Sequence, residues 1–309
     1  MKQNIKNKEE AEMLTKSIEF KGLYPALMVG FNADNTLDLE GLKENVKYLM
    51  AQGCAGMCVN GSTGEAAALT REERVAAIKA AREAMGTEGK IIAGAGASMT
   101  AQTIELVQDA KDAGADAALV LSPIGNTTDE GLVKHYEAVA EVGIPIVLYN
   151  HPGATGIDIT IEKFDRLIQI PNVIGMKETS GSMPLLAEIF RKYGDTNISI
   201  FTGADDLTLP ALAVGAKAII LATANVAPKQ VLDIMNAVEN GDIKKAREVY
   251  YSIAPLTSVI GAEDNFPAGI KKAVELLGRP SSDPRMPILP MPEDQVPGLV
   301  ETLKIAGLL

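Results

Sequence analysis

Ala118-Leu-Val-Leu-Ser122 is apolar without a polar residue at every second place. A strand with one face in water alternates, so an unbroken run marks a strand covered on both faces, as in a parallel sheet. Ala218-Ile-Ile-Leu-Ala222 reads the same way. Working outward, eight short apolar runs recur: Leu23–Phe31, Gly56–Asn60, Lys90–Ala95, Ala117–Ser122, Pro145–Asn150, Val173–Lys177, Ile198–Thr202 and Ala218–Thr223. Their spacing of roughly 25–30 residues is that of strands alternating with helices.

The intervening stretches carry helix signals. Leu39–Gln52 stops at Gly53 and Arg71–Met85 at Gly86, glycine accepting the left-handed turn that closes a helix. Thr70-x-x-Glu73 forms a capping box, and Thr128 followed by Asp129 and Glu130 opens the fourth helix. Pro171 and Pro228 fall between elements, where a missing N–H is tolerated. Eight strand-then-helix units predict an α/β fold, a closed (β/α)8 TIM barrel and not an open doubly wound sheet. The organisation expected is a polar extension over residues 1–18, the barrel over 19–240 and a helical appendage over 241–309. The appendage comprises helices Asp242–Ser258, Asp264–Leu277 and Pro297–Leu308.

Of 309 residues 47% are hydrophobic, enough for one large core. Only 4% are aromatic and none is Trp, so Ala, Ile, Leu, Val and Met must fill it. A net charge of -11 argues against nucleic acid and anionic membranes as partners. Cys54 and Cys58 are the only cysteines; with no His nearby they predict two reduced, buried thiols. The start, Met1–Glu10, lacks the apolar stretch of a signal peptide, and no run reaches the roughly 18 apolar residues of a membrane span. The expected location is the cytoplasm.

In such a barrel catalytic groups stand at the C-terminal ends of strands. Those ends supply Ser62 and Thr63 after the second strand, Tyr149 at the fifth and Lys177 at the sixth. In Val173-Ile-Gly-Met-Lys-Glu-Thr-Ser180 the ammonium is either paired, with Glu178 or Glu65, or stripped of water and made nucleophilic, as in Schiff-base enzymes. Tyr149 offers a phenol for proton transfer or a satisfied core hydroxyl. Gly61-Ser-Thr-Gly-Glu65 is either a helix-capping turn or a cradle whose N–H groups hold a carboxylate. His151 stands just past Tyr149, near the distal end of a substrate or satisfied within the fold. His135 is expected exposed on its helix, and Asp205 and Asp206 at the start of the helix after strand seven, favouring its dipole. Two distant histidines make no metal-ligand set.

The ordered fragments Gly61-Ser-Thr-Gly-Glu65, Tyr149-Asn-His-Pro152 with Thr155-Gly156, Gly175-Met-Lys-Glu178, Gly203-Ala-Asp205 and Thr223-Ala-Asn225 carry a resemblance. From about Gly22 to Leu309 the chain resembles the dihydrodipicolinate synthase and N-acetylneuraminate lyase family, (β/α)8 barrels that join a lysine to pyruvate or another 2-oxo acid as an imine. The resemblance implies that Lys177 is the imine-forming nucleophile and Tyr149 the general acid/base. It makes Ser62 and Thr63, with Gly61, the carboxylate site, lets Thr63 relay protons to Tyr149, and places the Ile220 carbonyl near the reaction. It implies no metal or cofactor, a small 2-oxo acid as substrate, and a homotetramer built from dimers.

Two departures bear on substrate. The synthases have an arginine where Ala154 stands, binding the second substrate's carboxylate. They also have a tyrosine pair after the fourth strand, where this chain reads Ser122-Pro-Ile-Gly-Asn126. Gly61–Glu65 and Ala154-Thr-Gly156 are closer to sialic-acid lyases and 2-keto-3-deoxy-sugar-acid aldolases, whereas Thr223–Pro228 is closer to the synthases. Expected specificity residues are His151, Ala154, Asn126 and Gly203. The expected function is a class I lyase or aldolase acting on pyruvate or a pyruvate-releasing 2-oxo acid, such as a sugar acid or sialic-acid-like compound. The alternatives are a 4-hydroxy-tetrahydrodipicolinate synthase, a Schiff-base dehydratase or deaminase, and a non-catalytic 2-oxo-acid-binding barrel.

Overall fold

The computed structural model describes residues 20–125, 127–262 and 266–309. The expected extension over 1–18, and Asn126, lie outside the described residues. The strands are β1 (Gly22–Pro25), β2 (Gly56–Val59), β3 (Lys90–Gly94), β4 (Ala117–Leu121), β5 (Ile146–Asn150), β6 (Val173–Glu178), β7 (Ser199–Thr202) and β8 (Ala218–Leu221). All neighbouring pairs are parallel, in the order β1-β8-β7-β6-β5-β4-β3-β2. The two ends of that order meet, because Ala55 N–H donates to the Leu23 carbonyl and Leu27 N–H to the Cys58 carbonyl, each at 2.9 Å. The sheet is a nearly closed barrel, as expected.

Each strand passes between two buried environments. On β5, Ile146 and Leu148 face the helices, whereas Val147 and Tyr149 face the barrel interior. On β8 the outer pair is Ile219 and Leu221 and the inner pair Ala218 and Ile220. Both faces are dry, so the runs need no polar alternation. The rings of Phe20, Tyr24 and Phe201 pack within 6.0 Å of one another inside the barrel.

β1 is shorter than the expected Leu23–Phe31. Beyond Ala26 the backbone leaves the ladder: Met28 N–H donates to Asn225 Oδ1 at 3.1 Å and Phe31 N–H to Ser282 Oγ at 2.8 Å. Asn225 also donates to the carbonyls of Ala26 and Ala222, fastening the ends of β1 and β8 together.

The helices between strands are α1 (Leu39–Ala51), α2 (Arg71–Met85), α3 (Thr100–Asp112), α4 (Asp129–Ala140), the single turn α5 (Pro152–Thr155), α6 (Ile161–Leu167), α7 (Met183–Tyr193), α8 (Thr208–Ala213) and α9 (Pro228–Glu239). The Thr70–Glu73 capping box forms in both directions, and Thr128 caps α4 through the Gly131 N–H. His135 is buried, contrary to expectation. It falls on the inward stripe of α4 with Leu132, Tyr136 and Val139, and its Nδ1 lies 3.0 Å from Thr100 Oγ1.

Three further helices follow: α10 (Ile243–Ile260), α11 (Ala268–Leu276) and α12 (Val296–Ile305). The expected start of α11 at Asp264 lies outside the described residues. The C-terminal part is tied to the barrel by hydrogen bonds from Asn45 to the Pro280 carbonyl and from Arg279 to the Asn225 carbonyl. No helix among the described residues is long and apolar enough to cross a membrane.

Candidate active site

Lys177 reaches the barrel interior because β6 is irregular. Ile146 pairs with Val173 but Val147 pairs with Gly175, so Ile174 is an extra residue in the ladder. Strict alternation from Ile174, which faces inward, would turn Met176 inward and Lys177 out. The extra residue reverses that, and Lys177 comes to lie beside Tyr149 in register. Gly175 lets the strands approach there: a Cβ would sit 1.8 Å from the Ser199 carbonyl oxygen.

The next residues, Asn150 and Glu178, face the other side. Asn150 Nδ2 donates to Glu178 Oε2 at 2.6 Å and to Asp158 Oδ1 at 3.0 Å, while its Oδ1 accepts the Ile159 N–H. Burial pushes the Glu178 carboxyl above the usual range, partly offset by the hydrogen bonds it accepts from Ser180 and Asn150. Glu178 therefore does not pair with Lys177. Neither does Glu65, whose partner is Lys271 at 2.6 Å. Among the described residues no carboxylate lies within ion-pair distance of the Lys177 amine.

Lys177 is 6% exposed and its Nζ donates to Tyr149 Oη at 3.4 Å, 4.4 Å from the centre of the ring. Burial pulls its pKa down. Charge on Tyr149, Cys58 and Asp205 acts the other way and, with those groups ionised, holds it above the ordinary lysine value. Burial also pushes the Cys58 thiol and the Asp205 carboxyl up. Gly203 makes room for the lysine stem, since a Cβ there would lie 2.3 Å from Lys177 Cε and 2.5 Å from Thr179 Oγ1.

Tyr149, Lys177, Thr179, Gly203 and Asp205 line a cavity of about 670 Å³, together with Gly61, Ser62, Thr63, His151 and Ile220. In the Gly61–Glu65 turn the N–H groups of Gly64, Glu65 and Ala66 bond back to the carbonyls of Gly61 and Ser62. The N–H groups of Ser62 and Thr63 take no part in those bonds, leaving two donors beside the cavity. Thr63 is buried and forms no hydrogen bond with Tyr149, so the expected proton relay is not in place here. Burial and nearby Lys177 lower the pKa of His151, whose ring centre lies 5.6 Å from that of Tyr149.

Other expectations change. Ala154 is exposed on α5 and lies outside the cavity wall. Gly203 is better explained by the Lys177 stem than by substrate choice. Asp205 caps the neighbouring turn, accepting the Thr223 N–H at 2.6 Å, and does not simply serve its own helix. Sequence reasoning missed the far wall, which α10 supplies through Tyr250, Ala254, Thr257 and Ser258, with Gly261 just past its end. Their spacing is one helical face of small and hydroxyl-bearing residues, a signal present in the sequence.

Residues 19–306 match the Dihydrodipicolinate synthetase family. The chain belongs to this family. The 4-hydroxy-tetrahydrodipicolinate synthase of Methanothrix thermoacetophila is 38% identical over 286 residues, covering 92% of this chain and 96% of that one. The enzyme of the same name from Methanocaldococcus jannaschii is 36% identical over 293 residues, covering 94% and 100%. Among solved structures, dihydrodipicolinate synthase from Thermotoga maritima aligns with a TM-score of 0.90 at 32% identity, covering 94% of this chain and all of that one. Chloride-inhibited dihydrodipicolinate synthase from Acinetobacter baumannii, complexed with pyruvate, aligns with a TM-score of 0.89 at 33% identity, covering 94% and 99%. As a member of the dihydrodipicolinate synthetase family the protein is an enzyme acting on carbon–carbon bonds, of the class I type that works through a lysine imine.

Proposed function

We propose that Lys177 forms the imine with pyruvate, or with a 2-oxo acid that yields pyruvate, and that Tyr149 moves the protons. The observation that carries this is a buried amine, free of ion pairs, 3.4 Å from a phenol inside a barrel cavity. The deprotonated amine adds to the ketone carbon. Tyr149 passes a proton to the resulting hydroxyl, which leaves as water. The protonated imine then takes up the electron pair released when a C3 proton or a carbon–carbon bond is lost, giving the enamine. The enamine attacks an aldehyde in the synthetic direction. The amides of Ser62 and Thr63 hold the acid's carboxylate, which keeps the ketone against Lys177.

For the second substrate, the names of relatives at 36–38% identity over more than nine-tenths of the chain support aspartate semialdehyde and a 4-hydroxy-tetrahydrodipicolinate synthase. That ranks above the sugar-acid reading the sequence alone favours. The cavity wall favours the sugar acid as a second reading. Among the described residues its only cation is Lys177, while Asp205 and Asp206 both line it. A second carboxylate would meet no counter-charge there, whereas an uncharged hydroxylated chain would meet Thr223, Thr257 and Ser258. Condensation of pyruvate with aspartate semialdehyde, assayed beside pyruvate release from 2-keto-3-deoxy sugar acids, separates the two. Turnover in the first assay supports the synthase, and turnover only in the second replaces it. Lys177→Ala should be inactive in either, and wild-type rates in that variant would end the imine reading. Tyr149→Phe should lower kcat on the order of 10²- to 10⁴-fold. We place the enzyme in the cytoplasm as a homo-oligomer, with the barrel over 19–240 as the catalytic unit and 241–309 packed on it.

A further inference from the structure

Glu65 lies outside the cavity wall, yet closes the turn that forms part of it. Its backbone is left-handed, φ 49 and ψ 37, a conformation strained for any residue with a Cβ. Its N–H donates to the Ser62 carbonyl at 3.0 Å, so the conformation of residue 65 fixes where the Ser62–Thr63 peptide faces. The side chain is wholly enclosed. Oε1 accepts from Lys271 Nζ at 2.6 Å and Oε2 from the Arg285 N–H at 2.8 Å. Lys271, itself 1% exposed, has its Nζ 4.5 Å from the centre of the Phe31 ring. Arg285 adds a second tie across the same loop, from its guanidinium to Glu73 and to the Ala68 carbonyl.

Removing two charges from water is expensive, and well-packed apolar residues in their place often leave a fold as stable or more so. The pair therefore makes a poor stability device. What it does provide is a fixed point two and three residues from the Thr63 and Ser62 amides, which take no part in the turn's own hydrogen bonds, anchored to α11 and the segment after it. We infer that Glu65, held by Lys271, is a positioning residue for the carboxylate of the 2-oxo acid. It sets the turn so that the Ser62 and Thr63 amides meet the carboxylate, while the imine chemistry at Lys177 does not require it. The inference rests on the reading that these amides hold that carboxylate.

The test uses two probes, pyruvate and acetone, the latter a ketone without a carboxylate. Each is trapped by borohydride on the wild-type protein, on Lys271→Met, and on the double variant Glu65→Met/Lys271→Met. The double variant leaves no unpaired buried charge between these positions and serves if Lys271→Met does not fold. The expected result is a KM for the 2-oxo acid raised on the order of 10-fold or more, the scale of one well-made charge-assisted hydrogen bond. kcat stays within about threefold, and trapping of pyruvate falls toward that of acetone, which is unchanged. A folded variant with wild-type KM and wild-type preference for pyruvate would overturn the positioning role. So would equal losses with both probes, which mark general damage. If the wild-type protein traps no pyruvate at all, the imine reading falls with it, and the two failures are told apart in the first lane.

Discussion

Lys177 and Gly203 must be considered together. The lysine stem crosses the one position in its neighbourhood where a Cβ would strike both Lys177 Cε and Thr179 Oγ1. Gly203→Ala is therefore expected to push the amine away from Tyr149. A displacement near 1 Å costs on the order of 100-fold in rate. Imine trapping rates should fall by about that factor with little change in melting temperature; an unaltered rate would mean the amine finds its place without that space. His135 gives a separate, pH-dependent outcome. Burial pushes its pKa down from 6.5 to about 4, and Nε2 has no partner. Between those values the unfolded chain binds a proton that the folded one refuses. This contribution to stability is full above pH 6.5 and is lost as pH falls toward 4, by about 3 kcal/mol. Denaturant titrations of wild type and His135→Gln across pH 4–7 should diverge in slope over that window. Parallel curves would contradict the assignment.

At the scale of elements, the extra residue in β6 decides whether Lys177 faces the barrel interior. Gly175→Ala would place a methyl against the Ser199 carbonyl and force β6 and β7 apart. Loss of Lys177 trapping, with a lower melting temperature, is expected from calorimetry and mass spectrometry together; wild-type behaviour in both would show that the ladder absorbs the methyl. The bulge is also where sequence reading stops short. Eight strands were legible because dry faces on both sides leave unbroken apolar runs, and α2 was legible from Thr70, Glu73 and Gly86. Lys177 and Tyr149 were legible as strand ends within a motif. Nothing in Val173-Ile-Gly-Met-Lys177 announces a parity change, because Ile174 and Met176 are equally apolar while facing opposite ways. The pairing of Glu65 with Lys271 was hidden for a different reason. Its members are 206 residues apart, and only the return of α11 onto the barrel brings them together.

For the whole molecule, the C-terminal helices act as part of the site. α10 forms the far wall of the cavity, and the stretch around Pro280 and Arg285 fastens α1, the Gly61–Glu65 turn and the β8 end. The assembly expected from the family resemblance is a tetramer of the 32.6 kDa chain. Light scattering at micromolar concentration should give four times that mass, and a concentration-independent single-chain mass would rule it out. One amine carries the proposed chemistry. After incubation with pyruvate and borohydride, peptide mapping should find a reduced pyruvyl group on Lys177 alone and none in Lys177→Ala. An adduct borne by another lysine, or no adduct with a folded protein and excess pyruvate, would contradict it.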